Sequence, residues 1–226
     1  MKIAVLGTGM VGQALAGRLA QLGHQVAVGT RDVAATLART DPDGMGNPPY
    51  SRWAQAHPEV GLTTFAEAVA GAELVVNATS GAVSLDALAA AGAERLAGKV
   101  LLDIANPLDF SRGFPPSLFV SDTDSLGERI QAAYPELKVV KALNTLTAEL
   151  MVDPKALGGG EHTVFVAGND ADAKRTVTEL LESFGHTDII DLGDITGARG
   201  TEMVLPVWLR LMGTLNTPRF QFKIVR

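Results

Sequence analysis

A chain of 226 residues has room for one nucleotide-binding domain of ordinary size and something small beside it. Its hydrophobic fraction of 46% with 5% aromatics describes an aliphatic, alanine-rich core, and a net charge of −6 without any basic run disfavours nucleic acid and anionic membrane as partners. Cysteine is absent, which excludes disulfides, thiolate nucleophiles, cysteine-held zinc and iron–sulfur clusters.

The first 32 residues organise the rest. Lys2-Ile3-Ala4-Val5-Leu6 reads as a buried strand and ends in Gly7-Thr8-Gly9-Met10-Val11-Gly12, a G-x-G-x-x-G turn. Val11, Leu15, Leu19 and Leu22 then recur at helical spacing, and Gln25-Val26-Ala27-Val28-Gly29 forms the next strand. In such a unit Gly7 permits the tight turn and Gly9 lets a pyrophosphate approach the backbone N–H groups at the helix start. Gly12 lets helix and strand pack closely. A dinucleotide site is the expectation. Lys2 and the short apolar run after it do not make a signal peptide, since the run leads straight into the glycine turn. Nothing argues for export, so a cytoplasmic address is expected. No apolar run approaches the roughly 18 residues of a membrane span.

An NAD-binding chain usually carries Asp or Glu about 20 residues beyond the glycines, to accept from the ribose 2′-hydroxyl. Here Thr30 and Arg31 occupy that place, 18 and 19 positions after Gly12. A guanidinium pairs a 2′-phosphate and a hydroxyl donates to it, so the pair points to NADP. Asp32 comes late and is expected to cap the next helix.

Residues 41–49 form a breaker-rich loop that either leans over the adenosine end of a nucleotide or is a mere connection. Short helices are expected over Ser51–His57 and Thr64–Ala70, then a buried strand, Glu73 to Thr79. Its end, Asn77-Ala78-Thr79-Ser80-Gly81-Ala82, is small and polar, suited to passing a pyrophosphate or ribose. An alanine-rich helix over Val83–Leu96 leads to strand Val100–Ile104 and the turn Ala105-Asn106-Pro107. Ser125-Leu126-Gly127-Glu128 has capping-box spacing for a helix before strand Leu137–Leu143. Alternation of strands and helices implies right-handed crossovers, a doubly wound parallel sheet of the Rossmann type, and ligands across the carboxyl ends of its strands.

After Asn144-Thr145 the character changes, and a boundary near 142–146 suggests a dinucleotide-binding domain over 1–143 and a small C-terminal α/β domain over 144–226. The second part holds a strand at Thr163–Ala167, a helix over Ala171–Phe184, a strand at Asp188–Asp191 and a long helix near Ala198–Leu215 bent at Pro206. It ends in an alternating edge-like stretch, Phe220–Val225. Oligomeric state is not legible in the sequence; the apolar segment Met203–Leu209 is the candidate face of a homodimer, with burial in the chain's own core as the alternative. Tyr134 and Lys138 imitate a catalytic Tyr-x-x-x-Lys pair, but Pro135 keeps them off a common helical face. His24, His57, His162 and His186 stand too far apart for a helical metal site, and no nucleophile triad stands out.

With these residues in view the chain resembles the family of NADP oxidoreductases dependent on the deazaflavin coenzyme F420. The resemblance runs from Gly7–Gly12 through Val28-Gly29-Thr30-Arg31 and Asn77-Ala78-Thr79. It continues through Val140-Lys141-Ala142-Leu143-Asn144-Thr145, Val166-Ala167-Gly168-Asn169-Asp170 and the proline-bearing last helix. It implies a Rossmann domain holding NADP through the glycine turn and the Thr30–Arg31 pair. It also implies a C-terminal domain closing a cleft where nicotinamide meets F420, or FMN or FAD, as small-molecule redox partner. Direct hydride transfer needs no nucleophile or metal, only aligned rings and excluded water. Ala78, Thr79, Ala105, Ala142 and Leu143 would floor that slot. Asn106 belongs to the same rim, and Asn144 and Thr145 would hold the carboxamide or second ring. A flavin or metal reductase and a non-catalytic NADPH sensor are the alternatives.

Overall fold

A computed structural model describes residues 1–43 and 46–226. Gly44 and Met45, part of the loop expected over 41–49, lie outside the described residues. The chain alternates β1 (Lys2–Leu6), α1 (Met10–Gln21), β2 (Gln25–Thr30), α2 (Val33–Ala38), α3 (Tyr50–Ala56), β3 (Gly61–Thr64), α4 (Phe65–Ala70) and β4 (Leu74–Asn77). It continues with α5 (Ser84–Ala91), α6 (Ala93–Leu96), β5 (Val100–Asp103), the two-residue strands β6 (Leu108–Asp109) and β7 (Ser117–Leu118), α7 (Leu126–Ala133) and β8 (Lys138–Ala142). The last part is α8 (Ala148–Val152), β9 (Thr163–Gly168), α9 (Ala171–Phe184), β10 (Asp188–Asp191), α10 (Ala198–Met203) and α11 (Leu205–Leu215).

Among the described residues eight strands form one sheet in the order β10-β9-β8-β5-β4-β1-β2-β3, with β6 and β7 paired separately. All neighbours in the large sheet run parallel except β8 and β9. The fold is therefore a doubly wound Rossmann-type sheet. Residues 144–226 supply β9 and β10, which continue that same sheet.

Strand alternation sorts the core onto two faces. Ile3 and Val5 join Leu15 and Leu19 of α1 and Leu181 of α9 on one side. Ala4 and Leu6 join Phe65, Leu88, Leu126 and Ile130 on the other. Each fully buried leucine or valine there contributes roughly 1.5–3 kcal/mol relative to exposure.

Local caps explain several boundaries. Asp32 accepts from the Ala35 N–H and starts α2 as expected, and Thr64 and Glu67 form a reciprocal box at α4. The helix expected over Val83–Leu96 breaks at Gly92, whose φ of 94° interrupts it between α5 and α6. The C-terminal stretch Phe220–Val225, expected as an edge strand, is not one. Strand β9 already has β8 and β10 on its two sides, so the tail reaches only its first residue: the Thr163 N–H donates to the Phe222 carbonyl at 3.0 Å. Pro206 sits in the first turn of α11, where the chain bends out of α10.

Candidate functional site

The glycine turn opens over the carboxyl ends of β1, β2 and β4. Gly7 has φ of 120°, and a Cβ there would come within 2.6 Å of the Ala78 carbonyl oxygen. At Gly12 a Cβ would overlap the carbonyl of Gly7, so α1 can lie this close only without a side chain. Gly9 differs: a Cβ would meet nothing within 4 Å and would project into open space. Helix α1 starts there with no side-chain cap and no acidic residue in its first turn. Its leading N–H groups and the positive end of its dipole are therefore left for an anion.

Beside this turn lies a cleft of about 460 Å³. Of the residues expected at a site, Gly7, Thr8, Gly9, Thr30, Arg31, Ala78 and Thr79 line it together. Met10 lines an adjoining hollow of about 270 Å³, shared with Thr8, Gly9 and the described part of the loop over 41–49. Val11 packs on the core and Gly12 is buried behind the turn. Thr30 is nearly buried, 2.8 Å from the Thr36 hydroxyl. Thr36 donates to the Asp32 carbonyl, so Thr30 donates to Thr36, and its proton is not free for a phosphate. Arg31 is exposed and its side chain has no ion pair or hydrogen bond among the described residues.

The remaining expected residues gather at a different place, over β4, β5 and β8. Asn77 is fully buried and donates to Asp103 at 2.8 Å and to Ser84 at 3.1 Å. Its own oxygen accepts from the Thr79 hydroxyl at 2.7 Å. Asn77 thus braces the Ala78–Thr79 turn from beneath instead of facing the cleft. Ala105 and Ala142 are buried and stand outside the cleft lining. Asn106 and Asn144 hold each other: the Asn106 amide donates to the Asn144 carbonyl at 2.8 Å, and the Asn144 amide to the Asn106 side-chain oxygen at 3.0 Å.

Sequence reasoning missed the centre of this second cluster. Lys141 is 0% exposed and pairs with Asp103 and Glu202, both at 2.8 Å. It also donates to the Ala105 carbonyl. Burial alone would lower the Lys141 pKa, but the two carboxylates outweigh it and raise the value, so the ammonium stays charged. Glu202 in turn accepts from the N–H groups of Leu126 and Gly127 at the start of α7, at 2.8 and 3.1 Å. The overlooked signal was a lysine at an inward position of an apolar strand. Glu202, far away in sequence, had none.

The residues present fit a dinucleotide: an open turn at Gly9 for the diphosphate, and a cleft beside it carrying unpaired guanidinium. A Rossmann sheet with such a turn defines the class, a dinucleotide-binding protein. The family model for coenzyme F420-dependent NADP oxidoreductases matches residues 2–107. A crystal structure from Arthrobacter sp. FB24, provisionally assigned as an F420-dependent NADP-reductase, is 64% identical over the whole of both chains, with a TM-score of 0.95. The F420-dependent NADP reductase of Methanothermobacter marburgensis is 28% identical over 222 residues, covering 93% of this chain and 92% of that protein. Metalloreductase STEAP3 of Rattus norvegicus is 31% identical over 218 residues; the match takes in 92% of this chain but 38% of that protein's length. The chain belongs to the family of NADP oxidoreductases dependent on coenzyme F420, and is an NADP-dependent oxidoreductase. Among the described residues no helix is long and apolar enough to cross a membrane.

Proposed function

We propose that the protein transfers hydride between NADP(H) and a deazaflavin or flavin ring, coenzyme F420 first among them. The observation that carries this reading is the uncapped α1 start behind Gly9, set beside the unpaired Arg31. Backbone N–H groups at residues 10–12 would bind the diphosphate, and Arg31 the 2′-phosphate. Residues 1–143 would carry the dinucleotide and 144–226 would close the acceptor side. Bound NADPH supplies the hydride; the chain's part is to hold two rings in register and keep water away. The turns at Ala105–Asn106 and Ala142–Thr145, buried except for the half-buried Asn106, suit that part. The Asn106–Asn144 pair fastens one against the other.

The family match and the reductase from M. marburgensis support F420 as acceptor. The similarity to STEAP3 favours a second reading, NADPH-dependent reduction of a flavin or ferric chelate. Following NADPH absorbance at 340 nm with F420, FMN, FAD and ferric chelates separates the two. Turnover with F420 at least about tenfold above every other acceptor supports the first reading. Turnover with flavin or ferric iron alone supports the second. NADPH binding without turnover by any acceptor overturns both in favour of a sensor.

A further inference from the structure

The cleft contains a second guanidinium that sequence reasoning passed over. Arg39 is the residue that closes α2, and the helix turns back so that Thr36 meets Thr30. Arg31 and Arg39 both line the cleft and both are exposed. Among the described residues neither side chain makes an ion pair or a hydrogen bond. Arg39 forms no ion pair even with Asp41, two positions on, although both border the adjoining hollow with Thr8 and Gly9.

The charges around Arg31 show why a second cation matters. The same lining carries two carboxylates, Asp32 and Asp86. One oxygen of Asp32 takes the Ala35 N–H at 2.9 Å, but its charge remains. A phosphate monoester carries about −1.5 to −2 near neutral pH. With Arg31 alone it would enter a lining of one cation against two anions. Arg39 brings that lining to neutrality, and the α1 start then tips it towards an anion.

We infer that Arg39 is a second determinant of NADPH over NADH, joining Arg31 on the 2′-phosphate. This rests on the assignment of the cleft to the adenosine end of NADP(H). The Asp32 cap and the Thr30–Thr36 bond hold α2 where Arg39, the residue that closes it, can reach the ligand, so the short helix acts as a positioning strut. Thr30, whose proton goes to Thr36, serves that strut instead of donating to the phosphate.

Calorimetric titration of the full chain with NADPH and with NADH tests the inference. The variants are Arg31→Ala, Arg39→Ala, Arg39→Lys and the double Arg31→Ala/Arg39→Ala. Arg39 has no side-chain partner to lose among the described residues, so its replacement should leave the fold intact, and unchanged NADH binding verifies that. Arg39→Ala is expected to weaken NADPH about tenfold, the lower end for a charge-assisted hydrogen bond, and NADH less than about twofold. Arg39→Lys should recover part of the loss, and the double variant should bring the two dinucleotides to nearly equal affinity. The inference is overturned if Arg39→Ala weakens both equally, which would place the side chain on the diphosphate, or weakens neither. A starting protein that binds NADPH no better than NADH would instead sink the assignment of the cleft. A clear NADPH preference untouched by Arg39→Ala sinks only the role of Arg39.

Discussion

Over β1 and β2 the strand tips end among groups that find no partner among the described residues: the first N–H groups of α1 and the side chains of Arg31 and Arg39. Over β4, β5 and β8 the tips end in a closed polar network, Asn77, Asp103, Lys141 and Glu202, all buried and joined by bonds of 2.8 Å. On the proposed function, the first region takes a ligand that brings its own charge. The second satisfies itself and presents a fixed floor. Burying three charges is costly, and a well-packed apolar cluster would hold the sheet as well or better. What the ionic cluster adds is connection: one ammonium ties β5 to β8, and one carboxylate ties both to α7 and α10. On the proposed function, the open end recognises and the closed end positions.

Removing Lys141 should break that contrast most severely. Lys141→Met leaves Asp103 and Glu202 buried without their cation, and loss of one partner from a buried ion pair costs about 3–5 kcal/mol. Urea denaturation should show this as a large fall in the midpoint. The double variant Lys141→Met/Glu202→Gln should recover part of it, because one uncompensated charge goes with the lysine. A single variant as stable as the parent would mean that the network is not closed in solution.

A buried polar pair without counter-charges should behave oppositely. His186 and His162 lie with ring centroids 5.9 Å apart, and both Nδ1 atoms are buried without a partner. Burial pushes His186 from the ordinary 6.5 down to about 4, with its bond to the Met151 carbonyl opposing the shift in part. The folded protein therefore keeps this ring neutral while the unfolded chain takes up a proton. Its contribution is complete above about pH 6.5 and is lost as the pH falls towards 4, by about 3 kcal/mol in all. Stability curves at several pH values should show this slope in the parent and a flatter one in His186→Gln. At the open end, Arg31→Ala should cost NADPH binding about 1.5–3 kcal/mol with NADH little affected. Equal losses would mean that Arg31 does not read the 2′-phosphate.

The same contrast explains what was legible in the sequence. The glycine turn depends on neighbours within a dozen residues, so Gly7, Gly9 and Gly12 disclosed both the fold and the cleft. Asp32 disclosed its cap because an N-cap acts three residues away. The closed network joins positions 77, 103, 141 and 202, which only the strand order brings together; no local pattern announces such a meeting. Asn77 and Asn144 were visible as polar residues at strand ends. Whether they face a ligand or another side chain depends on Asp103 and Asn106, in neighbouring turns. Arg39 escaped because its relevance comes from the fold-back of a six-residue helix, not from spacing along the chain.

Asp32 offers the smallest and sharpest test, because it belongs to scaffold and electrostatics at once. Asp32→Ala removes the cap from α2 and should cost about 1 kcal/mol, loosening the helix that carries Thr36 and Arg39. Asp32→Asn keeps a good capping oxygen but deletes the charge from the cleft lining. If the open end is tuned for a phosphate, the two variants should move NADPH affinity in opposite directions, weaker for Ala and tighter by up to about 1 kcal/mol for Asn. NADH, which carries no 2′-phosphate, should not gain from the Asn variant. A common loss in both would assign Asp32 a direct contact with the ribose, and the recognising end of the molecule would then owe less to its two arginines than to a carboxylate standing between them.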